Sequence, residues 1–317
     1  MSRLTVVVPA YNEAAVLETF HGRLGRVLDD LPLDCSVLYV DDGSSDGTWA
    51  LIEQLMARDV RTGGLKLSRN FGKEAALTAG LDHVDADATV VIDADLQDPP
   101  ELIPSLVERW RAGYDVVYAT RTARAGETGL KRLTAALFYR SMERLSDTSV
   151  PRDTGDFRLL SRRALDALRQ LRERQRFMKG LFAWIGYRQT AVYYLREPRQ
   201  AGETKWNYWR LLQLAIEGIT SFSTAPLRLA TWVGVMSSML AFLYGLWVFG
   251  KAAMFGDRVQ GYPTLMLVIL FLGGVQLLAL GVIGEYLGRN YAESKQRPLY
   301  FIEEQRLPRA RSGATGF

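Results

Sequence analysis

The sequence has few of the residues that most often mark metal centres and nucleophilic enzymes. Its 317 residues contain one cysteine, Cys35, and two histidines, His21 and His83. One cysteine excludes a disulfide framework within the chain and a zinc–cysteine cluster, and two histidines exclude a multi-histidine metal site. The turn after the first predicted strand reads Pro-Ala-Tyr-Asn-Glu instead of Gly-x-Gly-x-x-Gly, which argues against a dinucleotide-binding domain. The Gly-x-x-x-x-Gly-Lys-Ser/Thr pattern of phosphate-binding loops is also missing.

Charged and apolar residues are unevenly distributed along the chain. Hydrophobic residues make up 48% of the sequence and charged residues 23%, which excludes a disordered chain. The net charge is only +4, and many of the basic residues flank long apolar runs. We therefore assign the basic excess to contact with an anionic membrane face, and we expect no nucleic-acid partner.

Two long runs without charge lie near the C-terminus, at 229–250 and 259–284. Each is long enough to cross a hydrocarbon core as a helix, which needs roughly 20 residues. A pair of buried core helices is the alternative, but two such runs in close succession are typical of a membrane hairpin. The loop between them carries only Lys251 and Arg258 as bases, whereas both flanks carry more. The positive-inside rule therefore places both flanks in the cytoplasm.

This pattern predicts three regions. Residues 1–228 form a cytoplasmic domain, residues 229–288 form a transmembrane hairpin, and residues 289–317 form a basic cytoplasmic tail. The spans are expected near 229–250 and 262–284, and the polar stretch 303–317 is expected to be disordered.

Strand-like and helix-like patterns alternate through the N-terminal part of the chain. This alternation predicts an α/β fold with a mostly parallel sheet. Ligands of such sheets bind beyond the carboxyl ends of the strands, where polar residues cluster in this sequence. The predicted strands are Leu4–Pro9, Val37–Val40, Leu65–Leu67, Ala88–Ile92 and Asp115–Ala119, and the predicted helices are Ala14–Leu28, Thr48–Ala57, Lys73–His83 and Pro100–Arg111.

Asp93 and Asp95 follow the fourth predicted strand. Residues two apart in an extended segment point to one face, so the two carboxylates converge and repel each other. A hard divalent cation relieves this repulsion, and Gln97 adds a third oxygen. Few protein oxygens with open positions suit Mg²⁺ or Mn²⁺ completed by phosphate oxygens. The alternative is a solvated turn.

Two further acids, Asp41 and Asp42, end the second predicted strand. The stretch after them is typical of a turn followed by a helix N-cap, with Asp46 or Ser45 as the capping residue. The two acids can also accept hydrogen bonds from a base or a ribose, and both interpretations can hold together.

Several segments together resemble the family 2 glycosyltransferases that act on polyprenyl phosphates, and others resemble the bactoprenol glucosyltransferase branch. The resemblance covers residues 3–300. It implies a GT-A fold and the transfer, with inversion, of a sugar from a nucleotide diphosphate sugar to a lipid phosphate. The first group of segments is 8–13 (Val-Pro-Ala-Tyr-Asn-Glu), 41–44 (Asp-Asp-Gly-Ser), 69–74 (Arg-Asn-Phe-Gly-Lys-Glu), 93–99 (Asp-Ala-Asp-Leu-Gln-Asp-Pro) and 155–159 (Gly-Asp-Phe-Arg-Leu), and the second is 177–180, 201–206, 217–223 and 284–289.

The same resemblance implies a set of site residues. The donor-binding set would comprise Pro9, Tyr11, Glu13, Asp41, Asp42, Lys73, Asp93, Ala94, Asp95, Arg199 and Lys205; the metal ligands would be Asp93, Asp95 and Gln97; Arg121 with Lys131 or Arg132 would bind the lipid phosphate; and Asp156 and Arg158 would be catalytic.

Asp156 is the residue that the resemblance offers as a base. A lipid phosphate is already anionic at neutral pH, so little proton abstraction is required. We therefore expect Asp156 to orient the acceptor or Arg158 as much as to take a proton. The alternative is a structural pair between Asp156 and Arg158.

Two stretches, 130–145 and 205–222, combine an apolar stripe with basic residues elsewhere on the helix. This pattern is typical of helices that lie on a membrane surface, with ordinary core packing as the alternative.

The predicted function is transfer of glucose from UDP-glucose to undecaprenyl phosphate at the cytoplasmic face of a bacterial inner membrane. The product would be a lipid-linked donor for modifying a cell-surface glycan. The alternatives are a mannose synthase using GDP-mannose, transfer of another sugar such as aminoarabinose, a processive polysaccharide synthase, and a non-catalytic nucleotide-sugar-binding scaffold. Expected partners are the donor, the lipid, the membrane and further copies of the chain, for example in a tetramer. The expected cofactor is Mg²⁺ or Mn²⁺.

Overall fold

A computed structural model describes residues 2–121, 154–174, 176–194, 225–255 and 262–308. The interfacial helices predicted at 130–145 and 205–222 lie outside the described residues. So do four of the basic residues predicted to bind phosphate groups, namely Lys131, Arg132, Arg199 and Lys205.

The described residues form eight strands and eight α-helices, numbered here in chain order. A short 3₁₀ turn at Pro100–Leu102 precedes α4. The strands are β1 (Arg3–Ala10), β2 (Asp34–Asp41), β3 (Thr62–Leu67), β4 (Ala88–Val91), β5 (Val116–Arg121), β6 (Thr154–Ser161), β7 (Gln189–Tyr194) and β8 (Ile302–Arg306). The helices are α1 (Ala14–Asp29), α2 (Thr48–Arg58), α3 (Lys73–Asp82), α4 (Ile103–Arg111), α5 (Arg162–Gln170), α6 (Met178–Trp184), α7 (Ala225–Phe255) and α8 (Tyr262–Ser294).

All eight strands belong to one sheet, in the order β7-β5-β6-β4-β1-β2-β3-β8. The central strands β4, β1, β2 and β3 run parallel to their neighbours in that series, as do β5 and β7. Two strands run against them: β6 lies antiparallel between β4 and β5, and β8 lies antiparallel against β3. This confirms the predicted α/β class with a mostly parallel sheet, of the GT-A type.

Helices can cover the sheet because apolar residues recur along each strand and each helix at the spacing that places them on the buried face. Strand β1 is buried from Leu4 onward, and α1 buries Leu17, Phe20 and Leu24 at helical spacing. Helix α3 packs especially close to the sheet at Gly80, where an added Cβ would lie 2.4 Å from Val7 Cγ1. A larger side chain at this position would push α3 away from the sheet.

The long helices α7 and α8 form a second compact unit, described here by itself. They contact each other, and each contains a stretch long and apolar enough to cross a membrane, at Leu229–Val248 and Val268–Ser294. Only 6% of the first stretch and none of the second is buried. The core helices of a soluble protein are mostly buried, so these helices fit a lipid environment much better.

The C-terminal tail differs from the prediction. Residues 289–294 continue α8, and residues 302–306 form β8, which pairs antiparallel with β3. The expectation that 303–317 is disordered is therefore wrong for 303–308. The polar sequence Ile-Glu-Glu-Gln-Arg carries no apolar alternation, because an edge strand is stabilised by main-chain pairing with a distant partner.

Candidate active site

A cleft of about 300 Å³ lies beyond the carboxyl ends of β1 and β4, where parallel sheets bind their ligands. Eight of the residues predicted to bind the donor line it. A second cavity, of about 200 Å³, lies among residues at the opposite, amino ends of β1 and β2, including Arg3 and Asp34, and contains none of the predicted site residues. The cleft is lined by Pro9, Ala10, Tyr11, Glu13, Asp42, Asn70, Gly72, Lys73, Ala76, Asp93, Ala94 and Asp95.

Asp42 holds the loop that leads into α3. Its carboxylate accepts hydrogen bonds from the backbone N–H groups of Phe71, at 2.8 Å, and Gly72, at 2.9 Å. Burial raises the pKa of Asp42, and these two backbone hydrogen bonds act in the opposite direction. The structure therefore places Asp42 in the cleft wall with both oxygens engaged by the protein itself.

Gly43 allows this loop to lie directly against the end of β2. Its φ of +65° is in the left-handed region, and an added Cβ would lie 2.4 Å from the backbone carbonyl carbon of Arg69. Only glycine fits both the conformation and the close approach.

Asp41 is fully buried and does not line the cleft. One oxygen accepts from the Ser44 N–H at 3.3 Å, and the other is buried without a hydrogen-bond partner. Burial raises the pKa of this carboxyl group. An unpartnered buried oxygen costs free energy unless it later finds a donor.

The turn after β1 is tied to the turn after β2. The side-chain oxygen of Asn12 accepts from the Ser45 N–H at 2.9 Å, and the Glu13 N–H donates to Thr48 Oγ1 at 2.9 Å. These bonds fix the backbone next to Tyr11, whose side chain is 47% exposed in the cleft. An exposed aromatic ring on a fixed turn can stack on a planar ligand.

Residues 43–47 read Gly-Ser-Ser-Asp-Gly, which matches the Gly-x-Ser-x-Gly spacing of hydrolase nucleophiles. The structure does not support that chemistry. Ser45 Oγ donates to Asn12, while the ring nitrogens Nδ1 of His21 and His83 bond to Tyr39 and to the Ala79 carbonyl. Neither histidine is hydrogen-bonded to Ser45, so this segment serves as a turn.

Lys73, the first residue of α3, joins a carboxylate in the loop after β4 to a carboxylate on β6. Its Nζ donates to Asp93 at 2.7 Å and to Asp156 at 2.6 Å. Burial alone would lower the pKa of Lys73, but the two carboxylates outweigh it and raise the pKa. Because the lysine side chain is still 46% exposed, its ammonium group can reach ligands in the cleft.

The segment after β4 bends sharply at Leu96. This buried residue has a φ of +59°, which is strained for a leucine and persists because the core holds the side chain. The bend directs the Gln97 N–H to Asp95 Oδ1, at 3.1 Å. Asp95 is thereby oriented by its own loop, and the Gln97 side chain is buried at 5% exposure.

Asp93 and Asp95 fit a divalent cation with open coordination positions. Burial raises the pKa of Asp93, and the charges of Asp156 and Asp95 add to that effect against Lys73. The site therefore has surplus negative charge, which the Lys73 ammonium meets in part. Among the described residues no three His, Cys, Asp or Glu side chains form a closed metal cage. The donor set instead suits a cation shared with phosphate oxygens.

Asp156 faces Lys73 from β6. Burial would raise its pKa, but Lys73, Lys179 and Arg158 together hold the pKa of this carboxyl below its ordinary value. Its Oδ1 is buried without a hydrogen-bond partner. Asp156 is therefore an ionised carboxylate with one oxygen bonded to Lys73 and the other buried.

Arg158 does not pair with the Asp156 carboxylate through its side chain. Its guanidinium donates to the backbone oxygens of Gly155, at 2.8 Å, and Asp156, at 3.3 Å, and stacks on the Phe182 ring at 3.8 Å. Burial lowers the pKa of Arg158 to about 10. The residue is 4% exposed and does not line the cleft, so it supports the backbone that carries Asp156.

Glu74 is a titratable group that the sequence did not reveal. Burial, with repulsion from Asp156, raises its pKa to about 7. It follows Lys73 on α3, and only the three-dimensional approach of β6 places it near Asp156. The remaining acceptor candidate among the described residues, Arg121, ends β5, and its role stays a prediction.

Comparison with known proteins identifies glycosyltransferases as relatives of this chain. A model of glycosyl transferase family 2 matches residues 5–169, and a model of the GtrB C-terminal hairpin matches residues 225–289. An uncharacterised glycosyltransferase of Synechocystis sp. is 51% identical over 95% of both chains. A bactoprenol glucosyl transferase of Shigella phage SfV is 45% identical over 96% of this chain and 99% of its own length.

A bactoprenol glucosyl transferase homologue of Escherichia coli is 44% identical over 95% of this chain and 98% of its own. Among solved structures, glucosyl-3-phosphoglycerate synthase of Mycobacterium tuberculosis is 22% identical over 69% of this chain and 78% of its own, with a TM-score of 0.46. That structural likeness is too distant to carry an argument about ligands. The family match and the near full-length relatives are sufficient: this chain is a glycosyltransferase and belongs to glycosyl transferase family 2, with a GtrB-type C-terminal hairpin.

Proposed function

We propose that the protein transfers glucose from UDP-glucose to a polyprenyl phosphate, with inversion at the anomeric carbon. One observation carries the proposal: Asp93, Asp95 and the Lys73 ammonium share a single cleft with Tyr11, in a chain that also has two membrane-length helices. Relatives named bactoprenol glucosyl transferases, at 44–45% identity over nearly the whole chain, support the sugar and the acceptor.

The donor would lie along the edge of the sheet. Tyr11, Glu13 and Asp42 would face the nucleoside, and Asp93 and Asp95 would face the diphosphate. When bound there, Mg²⁺ or Mn²⁺ would supply positive charge for the departing nucleoside diphosphate. Lys73 adds a mobile positive charge beside Asp93, to which its ammonium donates a hydrogen bond.

The acceptor needs little activation. A phosphate oxygen of the lipid attacks the anomeric carbon as the bond to the nucleoside diphosphate breaks, and the nucleophile is already anionic. The low pKa of Asp156 makes it a poor proton acceptor at neutral pH. Its part is to hold the Lys73 ammonium in place beside Asp93.

The hairpin would place this chemistry at a membrane surface. We propose that α7 and α8 cross a bacterial inner membrane and that the catalytic unit lies on the cytoplasmic side, where nucleotide sugars are made. The basic flanks of the two spans support this orientation.

A different sugar is the main alternative. The same fold and acid cluster would serve a mannose synthase using GDP-mannose or an enzyme for aminoarabinose, because hydroxyl recognition depends on loop geometry. A scaffold without activity is disfavoured, since Asp93, Asp95 and Lys73 are intact and meet in one cleft.

The test is transfer of radiolabelled sugar to undecaprenyl phosphate in membranes containing the protein. UDP-glucose, UDP-galactose and GDP-mannose are compared, with Mg²⁺ or Mn²⁺ and with EDTA. We expect label in the lipid phase from UDP-glucose alone, abolished by EDTA. Label from GDP-mannose instead would contradict the proposed donor, and no transfer from any of the three would contradict the proposed reaction.

A further inference from the structure

The chain returns to the catalytic unit directly after the hairpin. Helix α8 ends at Ser294, and the segment Tyr300–Arg306, here called the return segment, adds β8 to the edge of the sheet. Its first two residues are aromatic, and both contact the surroundings of α3, the helix that begins with Lys73.

Phe301 contacts the loop before α3. Its carbonyl oxygen accepts from the Ser68 N–H at 3.0 Å, and its ring lies 6.2 Å from the Phe71 ring between centroids. Phe71 is also the residue whose N–H donates to Asp42, and the Arg69 guanidinium lies over its ring, 4.0 Å from the centroid. The position of this loop therefore depends on Phe301 as well as on Asp42.

Tyr300 contacts the other end of α3. Its hydroxyl donates to Asp82, the last residue of the helix, at 2.8 Å. Arg172 donates to the same carboxylate oxygen at 2.7 Å, and the His83 ring meets the Tyr300 ring edge-on at 6.4 Å. Two adjacent residues of the return segment thus hold α3 at both of its ends.

We propose that Tyr300 and Phe301 are positioning residues of the donor site, acting on Lys73 through α3; this inference rests on the proposed function. Lys73 must keep its ammonium within bonding distance of Asp93 and Asp156, and errors of about 1 Å in such a site cost much of its effectiveness. The return segment sets where α3 begins, and α3 sets where the ammonium lies.

The exposure of Phe301 distinguishes a positioning role from a general contribution to the stability of the fold. The Phe301 side chain is 56% exposed, and the hydrophobic core of the unit contains neither Tyr300 nor Phe301. Truncating an exposed ring changes the free energy of unfolding little. Loss of Phe301 should therefore weaken donor binding more than it weakens the fold.

The experiment uses the full chain in detergent with three variants, Phe301→Ala, Phe301→Tyr and Tyr300→Phe. Leu307→Ala is the matched control, because Leu307 is a half-exposed apolar residue just beyond β8 that lines the smaller cavity and not the donor cleft. The readouts are Kd for UDP by calorimetry, KM and kcat for UDP-glucose, and Tm.

We expect Phe301→Ala to raise the UDP-glucose KM and the UDP Kd about three- to tenfold, with kcat and Tm unchanged. Phe301→Tyr keeps the ring and should restore both values, Tyr300→Phe should give a smaller increase, and Leu307→Ala should match the wild type. Unchanged UDP affinity in Phe301→Ala, or a loss that follows Tm alone, would overturn the inference. A wild type that binds UDP but transfers no sugar would overturn the proposed function instead, since the UDP comparison stands without activity.

Discussion

Two acid pairs flank strand β1, and they are held in different ways. Asp41 ends β2 and Asp42 follows it, whereas Asp93 and Asp95 follow β4. Burial raises the pKa of Asp41, Asp42 and Asp93 alike. Asp42 is satisfied by backbone N–H groups, but Asp93 is satisfied by the side chain of Lys73.

This difference in hydrogen-bond partners distinguishes an acid that holds the backbone from an acid that can bind a ligand. Backbone donors can leave Asp42 only if the loop before α3 unfolds. The Lys73 ammonium sits on a flexible four-carbon stem and can move to a phosphate without disturbing the backbone. The β2 acids therefore shape the cleft, while the β4 acids offer charge that a ligand can take over.

The largest expected effect is at the β4 acids. Asp93→Asn removes charge from the position that faces the donor diphosphate, so we expect sugar transfer to fall by on the order of a hundredfold or more. Mn²⁺ binding, followed by electron paramagnetic resonance of the free ion, should weaken in parallel. Asp166→Asn is the control, because Asp166 lies in exposed ion pairs with Arg162 and Arg169. Equal Mn²⁺ affinity in the two variants would contradict the assignment.

Asp42→Asn should have the next largest effect. The new amide group faces a backbone N–H, so a buried donor loses its acceptor at a cost of about 1–3 kcal/mol. Thermal unfolding should show a lower Tm, and steady-state kinetics a higher donor KM, while Mn²⁺ binding without nucleotide stays unchanged. If Tm were unaffected and only kcat fell, Asp42 would belong with the chemical acids and the comparison would fail.

Lys73→Ala tests whether the partner of Asp93 can be replaced by a cation. Lysine competes with any cation for Asp93, so its removal should increase Mn²⁺ affinity in the absence of nucleotide by about fivefold. Sugar transfer should nevertheless fall, because the donor loses a positive charge. Lys66→Ala serves as the control, since Lys66 pairs with Glu303 at the sheet edge. Weaker Mn²⁺ binding in Lys73→Ala would show that lysine helps to build the site.

The smallest expected effect concerns pH. The pKa of Asp41 is raised above 3.8 in the folded chain, so the folded state prefers the protonated form. That contribution to stability is complete at low pH and is lost as the pH rises through the raised pKa. Asp41→Asn should remove this loss and raise Tm at neutral pH by about 2–4 °C, with a smaller gain at acidic pH. If the Tm difference between the variant and the wild type were the same at acidic and at neutral pH, the burial argument would be contradicted.

The sequence was sufficient for the parallel core of the fold. Strands β1 to β5 and helices α1 to α4 were predicted within a few residues, because their apolar residues repeat at the periods of strand and helix. Strand β8 was not, since its sequence is polar and its pairing with β3 depends on residues far away in the chain.

The sequence predicted which residues form the candidate site but not how they contact one another. The motifs identified Asp42, Lys73, Asp93 and Asp156, yet they could not show that Lys73 joins two of these carboxylates or that Asp42 is engaged by backbone N–H groups. Those contacts depend on how β4, β6 and α3 meet. The left-handed backbone of Leu96 is also invisible in sequence, because leucine rarely adopts it.

The pairing of β8 with β3 also sets an order for biogenesis. Lys66 on β3 and its partner Glu303 on β8 are 237 residues apart in the chain. At a synthesis rate of ~5–20 residues per second, the edge of β3 stays open for roughly 10–50 seconds while the hairpin is being made. During that interval an unpaired strand edge can capture other chains. Strand β8 can join the sheet only after both apolar helices have been synthesised, so the catalytic unit is completed after the hairpin segment has been made.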